Sequence, residues 1–474
     1  MMRRQQQNGV RKPPLKPPDS LGPRLQTSLS KRGYGIDKES VDDPDKIAQL
    51  KKYTTVSPTV NPMMGGNGPP PKFPIFLESR QKLYLPKYLG MSLYGAPMVD
   101  KTDEGEPMAC SFAGELRDTQ RAPVDAFLAS ARDPAKRGGI INMACAAGKT
   151  VMAVYISATL GRKTLVIVHK EFLLNQWIER IAQFMPDARI GRIQGPTFDV
   201  QNKDIVIGML QTLAIKKFDD DAFDGFGTVV VDECHHTSAE VFSRALHRVN
   251  FRYSLGLSAT VQRKDGLSHV FQWFLGGICY KNRRPRETVE VHAHRFPCTD
   301  PSYREECFMF GSRINMAKMV SNVCGFGARV AFVARLIAET LAEREGSKVL
   351  VLSERRAHLV DMEREVAASG VSTGFYVGGL KQTELKESEE KTVVFGTFAM
   401  AAEGMDIPAL DTLVLASPKS DIEQPVGRIL RVRAADRDRV PRVIDVVDDF
   451  SVFAAQAIKR KRYYKKCGYT VTDR

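Results

Sequence analysis

The chain has 474 residues and an ordinary hydrophobic share of 43%, which gives room for two or three domains with ample core. No apolar run approaches the roughly 18–20 residues that span a bilayer, and the start Met1-Met2-Arg3-Arg4-Gln5 lacks the apolar stretch of a secretory signal. The 8 cysteines include no Cys-x-x-Cys pair and read as reduced thiols of an intracellular protein, while the net charge of +14 points to a polyanionic partner, nucleic acid first.

Charge and proline set off the first segment. Residues 1–36 hold eight Lys/Arg against one acid, Asp19. Such a stretch is expected to bury no core, so residues 1–72 are read as a disordered, basic, Pro-rich tail. Within it, Lys12-Pro13-Pro14-Leu15-Lys16-Pro17-Pro18 contains a P-x-x-P spacing suited to polyproline II docking; a solubilising tail is the plainer reading. Gly65-Gly66-Asn67-Gly68-Pro69-Pro70-Pro71 marks a linker, and order is expected from Phe73, with residues 73–110 as an N-terminal flank.

From residue 111 the pattern alternates between strand and helix, as in a parallel sheet wrapped by helices. Gly139–Asn142, Lys163–Val168, Asp204–Met209 and Thr228–Val231 are predicted strands, with helices over Thr150–Ala158 and Glu171–Phe184. The alternation weakens over 281–327, where Lys281-Asn282-Arg283-Arg284-Pro285-Arg286 is polar and basic. It resumes with a predicted helix over Ala328–Glu345 and strands over Lys348–Leu352, Thr373–Val377, Thr392–Thr397, Thr412–Ala416 and Arg442–Val447. The parse is one α/β lobe over 111–290, a connector over 291–327 and a second lobe over 328–474 with a basic C-terminal end.

The chemistry begins at Met143-Ala144-Cys145-Ala146-Ala147-Gly148-Lys149-Thr150, between a strand and a helix. Backbone N–H groups and a helix N-terminus can cradle phosphates there. Lys149 would reach the β- and γ-phosphates of ATP and Thr150 would ligate Mg²⁺. Met143 stands where the full G-x-x-x-x-G-K-[ST] pattern has its first glycine, and Gly-Lys-Thr recurs by chance, so this loop is weak evidence alone. Val231-Asp232-Glu233-Cys234-His235 strengthens it. A β-branched run ending in two carboxylates puts both at the C-terminal edge of a parallel sheet, where ligands bind. Asp232 would hold Mg²⁺ and Glu233 would orient and deprotonate the attacking water. His235 suits coupling better than metal ligation, since His236 beside it faces elsewhere. Ser258-Ala259-Thr260 follows, and Gln424-Pro425-Val426-Gly427-Arg428-Ile429-Leu430-Arg431 closes the series. Arg428 and Arg431, three apart on a predicted helix, can stabilise charge on the γ-phosphoryl group. His292-x-His294 with Cys298 and Cys307 matches no common zinc spacing.

This series, from Leu116-Arg117-Asp118-Thr119-Gln120 to Arg431 and including Gly404-Met405-Asp406-Ile407-Pro408, resembles the superfamily 2 helicases of the DExH type. Val168–Trp177, Ala259–Leu267, Tyr376-Val377-Gly378-Gly379 and Phe76-Leu77-Glu78-Ser79 resemble the helicases of large nucleocytoplasmic DNA viruses, poxvirus transcript-release type included, relatives of the XPB and UvsW translocases. The resemblance covers roughly residues 73–450. It implies two tandem RecA-like lobes, ATP and Mg²⁺ as cofactors, and 3′-to-5′ movement on DNA or RNA. It also implies that Gln120 recognises adenine beside Arg117, that Ala144, Cys145, Ala146, Ala147 and Gly148 wrap the phosphates, and that Ser258 and Thr260 couple hydrolysis to movement. Thr397, Gly404 and Asp406 would join the second lobe to ATP and backbone phosphates, and Gln424 would meet the γ-phosphate. Ala146 departs from the family's usual glycine, at a cost on the order of 1 kcal/mol if φ is positive there.

Nucleic acid would be held through backbone phosphates, without sequence preference. The run Lys459-Arg460-Lys461-Arg462-Tyr463-Tyr464-Lys465-Lys466 offers cations and two rings for gripping a strand; a solvated helix end or a nuclear-import address fits equally. The expected role is viral transcription, with RNA polymerase or transcription factors as partners, in the host cytoplasm or nucleus or packaged in the virion. A repair or recombination remodeller and a non-catalytic scaffold with a decayed ATP site are the alternatives.

Overall fold

The computed structural model describes residues 16–59, 70–143, 147–234, 238–259, 263, 265–282, 287–309, 313–403, 405, 407–432 and 434–474. The chain divides into two compact units, Met1–Met143 with Lys149–Asn282, and Arg283–Arg474 with Ala144–Gly148. Each carries a parallel sheet flanked by helices, the tandem RecA-like architecture.

Over residues 16–59 the expected disordered tail is corrected by the structure, while residues 1–15 and 60–69 lie outside the described residues. Thr27–Ser30 and Gly33–Asp37 form an antiparallel pair, and Pro44–Tyr53 is a helix whose N-cap Asp43 accepts from the Asp45 N–H at 2.9 Å. The sheet continues through Lys82–Leu85 to Leu77–Glu78 on one side and through Val99–Asp100 on the other. Charge and proline counts conceal the reason: Leu21, Leu29, Tyr34, Ile36, Leu50, Leu83 and Leu85 assemble a small core from residues far apart in sequence. Gly33 is required at the hairpin turn, with φ +108° and the Leu85 carbonyl oxygen 2.3 Å from where a Cβ would stand.

The larger sheet of the first unit has the order Thr197–Asp199, Ile190–Gln194, Ile205–Met209, Thr164–Val168, Thr228–Val231, Tyr253–Ser258, Gly138–Asn142, Ile278–Lys281. Only the first pair is antiparallel. Thr164–Val168 and Thr228–Val231 are buried at every position, which is why they read as unbroken β-rich runs. Ile190–Gln194 and Tyr253–Ser258 interrupt their apolar residues with glycine, arginine or serine and have no such signature. Register matters most for function. Val231 is level with Ile167 and Gly256, and Ser258 is level with Asn142. The loops after Asn142, Val231 and Ser258 therefore leave the sheet at one edge.

The second unit's sheet is parallel throughout, in the order Thr373–Tyr376, Val393–Thr397, Val349–Ser353, Thr412–Leu415, Arg442–Val447, Glu290–Arg295, Thr470–Asp473. Alternate residues feed two cores, Leu350 and Leu352 into one and Val349 and Val351 into the other. Glu290–Arg295 corrects the proposed connector: its first residues already belong to this sheet, and helices Met316–Gly325 and Gly327–Glu343 follow. The alternating polar and apolar residues of Glu290–Arg295 lack the continuous apolar run of the central strands, so the pairing with Arg442–Val447 had no sequence signal. Among the described residues no single helix is long and apolar enough to cross a membrane. The bent pair 316–325 and 327–343 passes on length and composition, but its Met319, Val323, Val333 and Ile337 are buried in protein.

Candidate nucleotide site

The site in the first unit is built at the sheet edge just described. Gly148 has φ +74°, where a side chain is strained, and the helix Lys149–Leu160 begins at the next residue. The helix start brings Lys149 inward. It is 8% exposed, its Nζ donates to the Met143 carbonyl at 3.3 Å, and it pairs with Glu233 Oε1 at 3.2 Å. Thr150 follows in the same first turn.

Asp232 and Glu233 follow the last residue of Thr228–Val231. The Asp232 N–H donates to the Ile167 carbonyl at 3.0 Å, so its backbone is tied to the neighbouring strand. Its Oδ2 accepts from the Trp177 indole Nε1–H at 2.9 Å. Burial, and then the charge of Glu233, push the Asp232 carboxyl up, against the opposing pull of Trp177 and Lys149. A buried oxygen donor whose charge is resisted by a second carboxylate suits a hard divalent cation. Glu233 adopts φ +45°, rare for a side chain of its kind and of a sort that clusters at active sites. Its Oε2 accepts from the Ala259 N–H at 3.4 Å. One carboxylate thus touches both the phosphate-loop lysine and the Ser258-Ala259 segment.

Ser258 is buried, and its carbonyl accepts from the Met143 N–H at 3.0 Å and from Asn142 Nδ2 at 3.2 Å. Protein contacts alone therefore fasten the three loops together. Cys234 is buried beside the two carboxylates, and burial first, then their charge, pushes its thiol up to about 12, so it is inert as a nucleophile. Gln120 is 2% exposed in the first turn of Asp118–Arg132, and its Oε1 accepts from the Arg117 N–H at 2.9 Å, closing that helix end.

In the second unit, Gln424 and Arg428 lie on the helix Glu423–Arg428. Arg431 stands beyond the helix end, contrary to the expectation of one helix carrying both arginines; Ile429 is already a cap. They converge all the same. Arg428 Nη1 donates to the Met405 carbonyl at 2.7 Å and Arg431 Nη2 donates to the same oxygen at 3.1 Å. Thr397 ends the strand Val393–Thr397. Ala144, Cys145, Ala146, His235, Thr260, Gly404 and Asp406 lie outside the described residues.

The C-terminal basic run reads differently in three dimensions. Arg460 is 2% exposed and pairs with Asp445 at 2.9 Å, and Tyr464 is buried with its hydroxyl donating to Asp445 at 3.0 Å. Arg460 and Tyr464 hold the helix Ser451–Cys467 to the sheet, so Tyr464 is not an available stacking surface. Lys459, Arg462, Lys465 and Lys466 remain exposed. His292 and His294 have ring centroids 6.3 Å apart, and among the described residues no group of three His, Cys, Asp or Glu is arranged for a metal. Sequence reasoning missed Trp177, the Ala259 N–H and the Met405 carbonyl. The indole closes the segment Val168–Trp177, but nothing linear connects it to Asp232.

Residues 113–263 match the family described as type III restriction enzyme, res subunit. A protein of Acanthamoeba polyphaga mimivirus described as an ATP-dependent RNA helicase is 32% identical over 463 residues, covering 94% of this chain and 86% of the relative. A helicase of invertebrate iridescent virus 6 is 24% identical over 91% of this chain and 97% of its own. The crystal structure of phage T4 UvsW aligns over 95% of this chain and 99% of that one, at 17% identity and a TM-score of 0.39. With its carboxylate pair, its phosphate-loop lysine and a relative of this similarity over nearly its whole length, the chain belongs to the superfamily 2 DExH-type helicases of large DNA viruses and is an ATP-dependent helicase.

Proposed function

We propose that this helicase is a motor that moves 3′ to 5′ along one nucleic-acid strand during viral transcription, inside the infected cell. The observation that carries the motor reading is the double engagement of Glu233, with Lys149 at 3.2 Å and the Ala259 N–H at 3.4 Å. Phosphate binding at Lys149 would draw it from Glu233, and a change at Glu233 would be felt at the segment assigned to coupling. The description of the mimivirus relative as an ATP-dependent RNA helicase supports a link to transcripts.

In this assignment Lys149, Gly148 and Ala147, with Ala144, Cys145 and Ala146, hold the triphosphate, and Gln120 with Arg117 reads adenine. Thr150 and Asp232 would hold Mg²⁺, which when bound would neutralise charge on the phosphates. Glu233 orients the attacking water and takes its proton. Gln424, Arg428 and Arg431 donate to the γ-phosphoryl oxygens as charge builds there. Their shared rest on one carbonyl keeps two guanidinium groups side by side, so both can be redirected together. His235, Ser258, Thr260, Thr397, Gly404 and Asp406 transmit the nucleotide state to the strand, which is held through its phosphates.

The test is ATPase activity with single-stranded DNA, duplex DNA, RNA and forked substrates, with displacement of end-blocked strands to read polarity. Stimulation by a single strand is expected, and Lys149→Ala or Glu233→Gln should lower turnover at least 100-fold without unfolding the protein. Wild-type protein inert with every nucleic acid would end the motor reading. Stimulation by forks alone would favour fork remodelling over transcription, and co-purification with RNA polymerase would favour transcription.

A further inference from the structure

Behind the assigned nucleotide residues lies a buried donor, the Trp177 indole N–H, that none of those roles uses. Helix Glu171–Phe184 directs Leu173, Leu174, Trp177 and Ile181 into the core. Leucine or phenylalanine would fill the place of Trp177 with apolar volume alone. The indole, 2% exposed, instead brings an N–H, and that donor ends 2.9 Å from Asp232 Oδ2. A buried indole N–H needs an acceptor, and a carboxylate is the strongest available. The backbone of Asp232 is pinned separately through its N–H to Ile167, on the strand that leads into the same helix. Strand and helix thus fix the two ends of one aspartate.

We propose that Trp177 is a positioning residue: its indole N–H fixes the rotamer in which Asp232 presents its carboxylate to the divalent cation that accompanies ATP. The inference rests on the assignment of Asp232 to cation holding. It assigns Trp177 no contact with ATP. Partners that orient a metal ligand in this way typically change metal affinity by about 10–100-fold when removed.

Trp177→Phe keeps a ring in the core and removes the donor. In the full chain, Mn²⁺ binding followed by electron paramagnetic resonance with a non-hydrolysable ATP analogue is expected to weaken about 10-fold. Binding of a fluorescent nucleotide in EDTA should be unchanged, which a general loosening of the site would not spare. Wild-type Mn²⁺ affinity in Trp177→Phe would overturn the proposal. Should that variant fail to fold, a second measurement stands: the chain has 2 tryptophans, so Trp273→Phe leaves Trp177 as the single indole. Its emission is expected to shift when Mg²⁺ and nucleotide are added together and to stay still with nucleotide in EDTA; no shift with Mg²⁺ would overturn the proposal. Asp232→Asn separates the two levels. If it retains wild-type Mn²⁺ affinity, the assignment of Asp232 fails; if it loses affinity while Trp177→Phe does not, only the role of Trp177 fails.

Discussion

Asp232 is charged at neutral pH against its surroundings, and that has a measurable consequence. Its carboxyl is raised from 3.8 to about 6 by burial and by Glu233. A group whose folded pKa lies above its unfolded one favours the fold fully only below the unfolded value, and that advantage is lost as pH rises through the folded value. Above pH 6 the charge therefore costs stability. Asp232→Asn is expected to raise the urea midpoint at pH 7.5 in EDTA by an amount equivalent to about 1–3 kcal/mol, while abolishing ATPase activity. A midpoint that falls would mean that Lys149 and Trp177 already offset the charge. Gly148 is the backbone counterpart. At φ +74°, Gly148→Ala should destabilise by about 1 kcal/mol and weaken nucleotide binding. Gly148, Lys149, Asp232 and Glu233 were all legible in the sequence because each sits in a short local pattern. The positive φ of Glu233 and the hydrogen bond from Trp177 were not, since both arise from neighbours brought in by the sheet.

At the scale of elements, the second unit is held by buried ion pairs that no motif announces. Arg329 on Gly327–Glu343 is fully buried and makes two parallel bonds to Asp448, at 2.8 and 2.9 Å, plus one to the Ala416 carbonyl at 2.7 Å. Breaking such a pair strands a buried charge. Arg329→Met should cost about 3–5 kcal/mol in equilibrium unfolding, and adding Asp448→Asn should recover much of it. A loss that does not respond to the second change would point to packing instead. Arg460 and Tyr464 do the same for the C-terminal helix. Tyr464→Phe is expected to cost about 1 kcal/mol of stability and to leave nucleic-acid affinity untouched; a fall in affinity at unchanged stability would place the Tyr464 hydroxyl on nucleic acid. The basic run was visible as composition. Which of its residues face the core depends on helix phase and on the position of Asp445, neither of which composition contains.

For the molecule as a whole, charge and acid sensitivity are the collective properties. The excess of 14 positive charges implies that nucleic-acid affinity falls steeply as salt rises. Acid should also weaken the second unit. His358 is 1% exposed, hydrogen-bonded through Nδ1 to Ser353 Oγ at 2.9 Å, and burial pulls its pKa from 6.5 down to about 3, with Arg329 adding to the effect. With a folded pKa below the unfolded one, the stability is fully present above pH 6.5 and is lost as pH falls toward 3. The loss is up to about 4 kcal/mol. Urea midpoints from pH 7.5 to 4 should drop in wild type and drop less in His358→Gln, with His247 and His292, both pulled down to about 4 chiefly by burial, supplying part of the remaining fall.

By itself the sequence determined the α/β class, the two lobes, the central strands and the nucleotide motifs in order. Buried parallel strands are continuous apolar runs, and phosphate and cation chemistry needs particular residue types at short spacing. Only the tertiary structure decided that residues 27–56 are ordered, that Glu290–Arg295 belongs to the second sheet, that Trp177 stands behind Asp232 and that two arginines share the Met405 carbonyl. Each of these depends on residues distant in sequence meeting across a sheet or a helix face, and the energy of such a meeting has no local pattern.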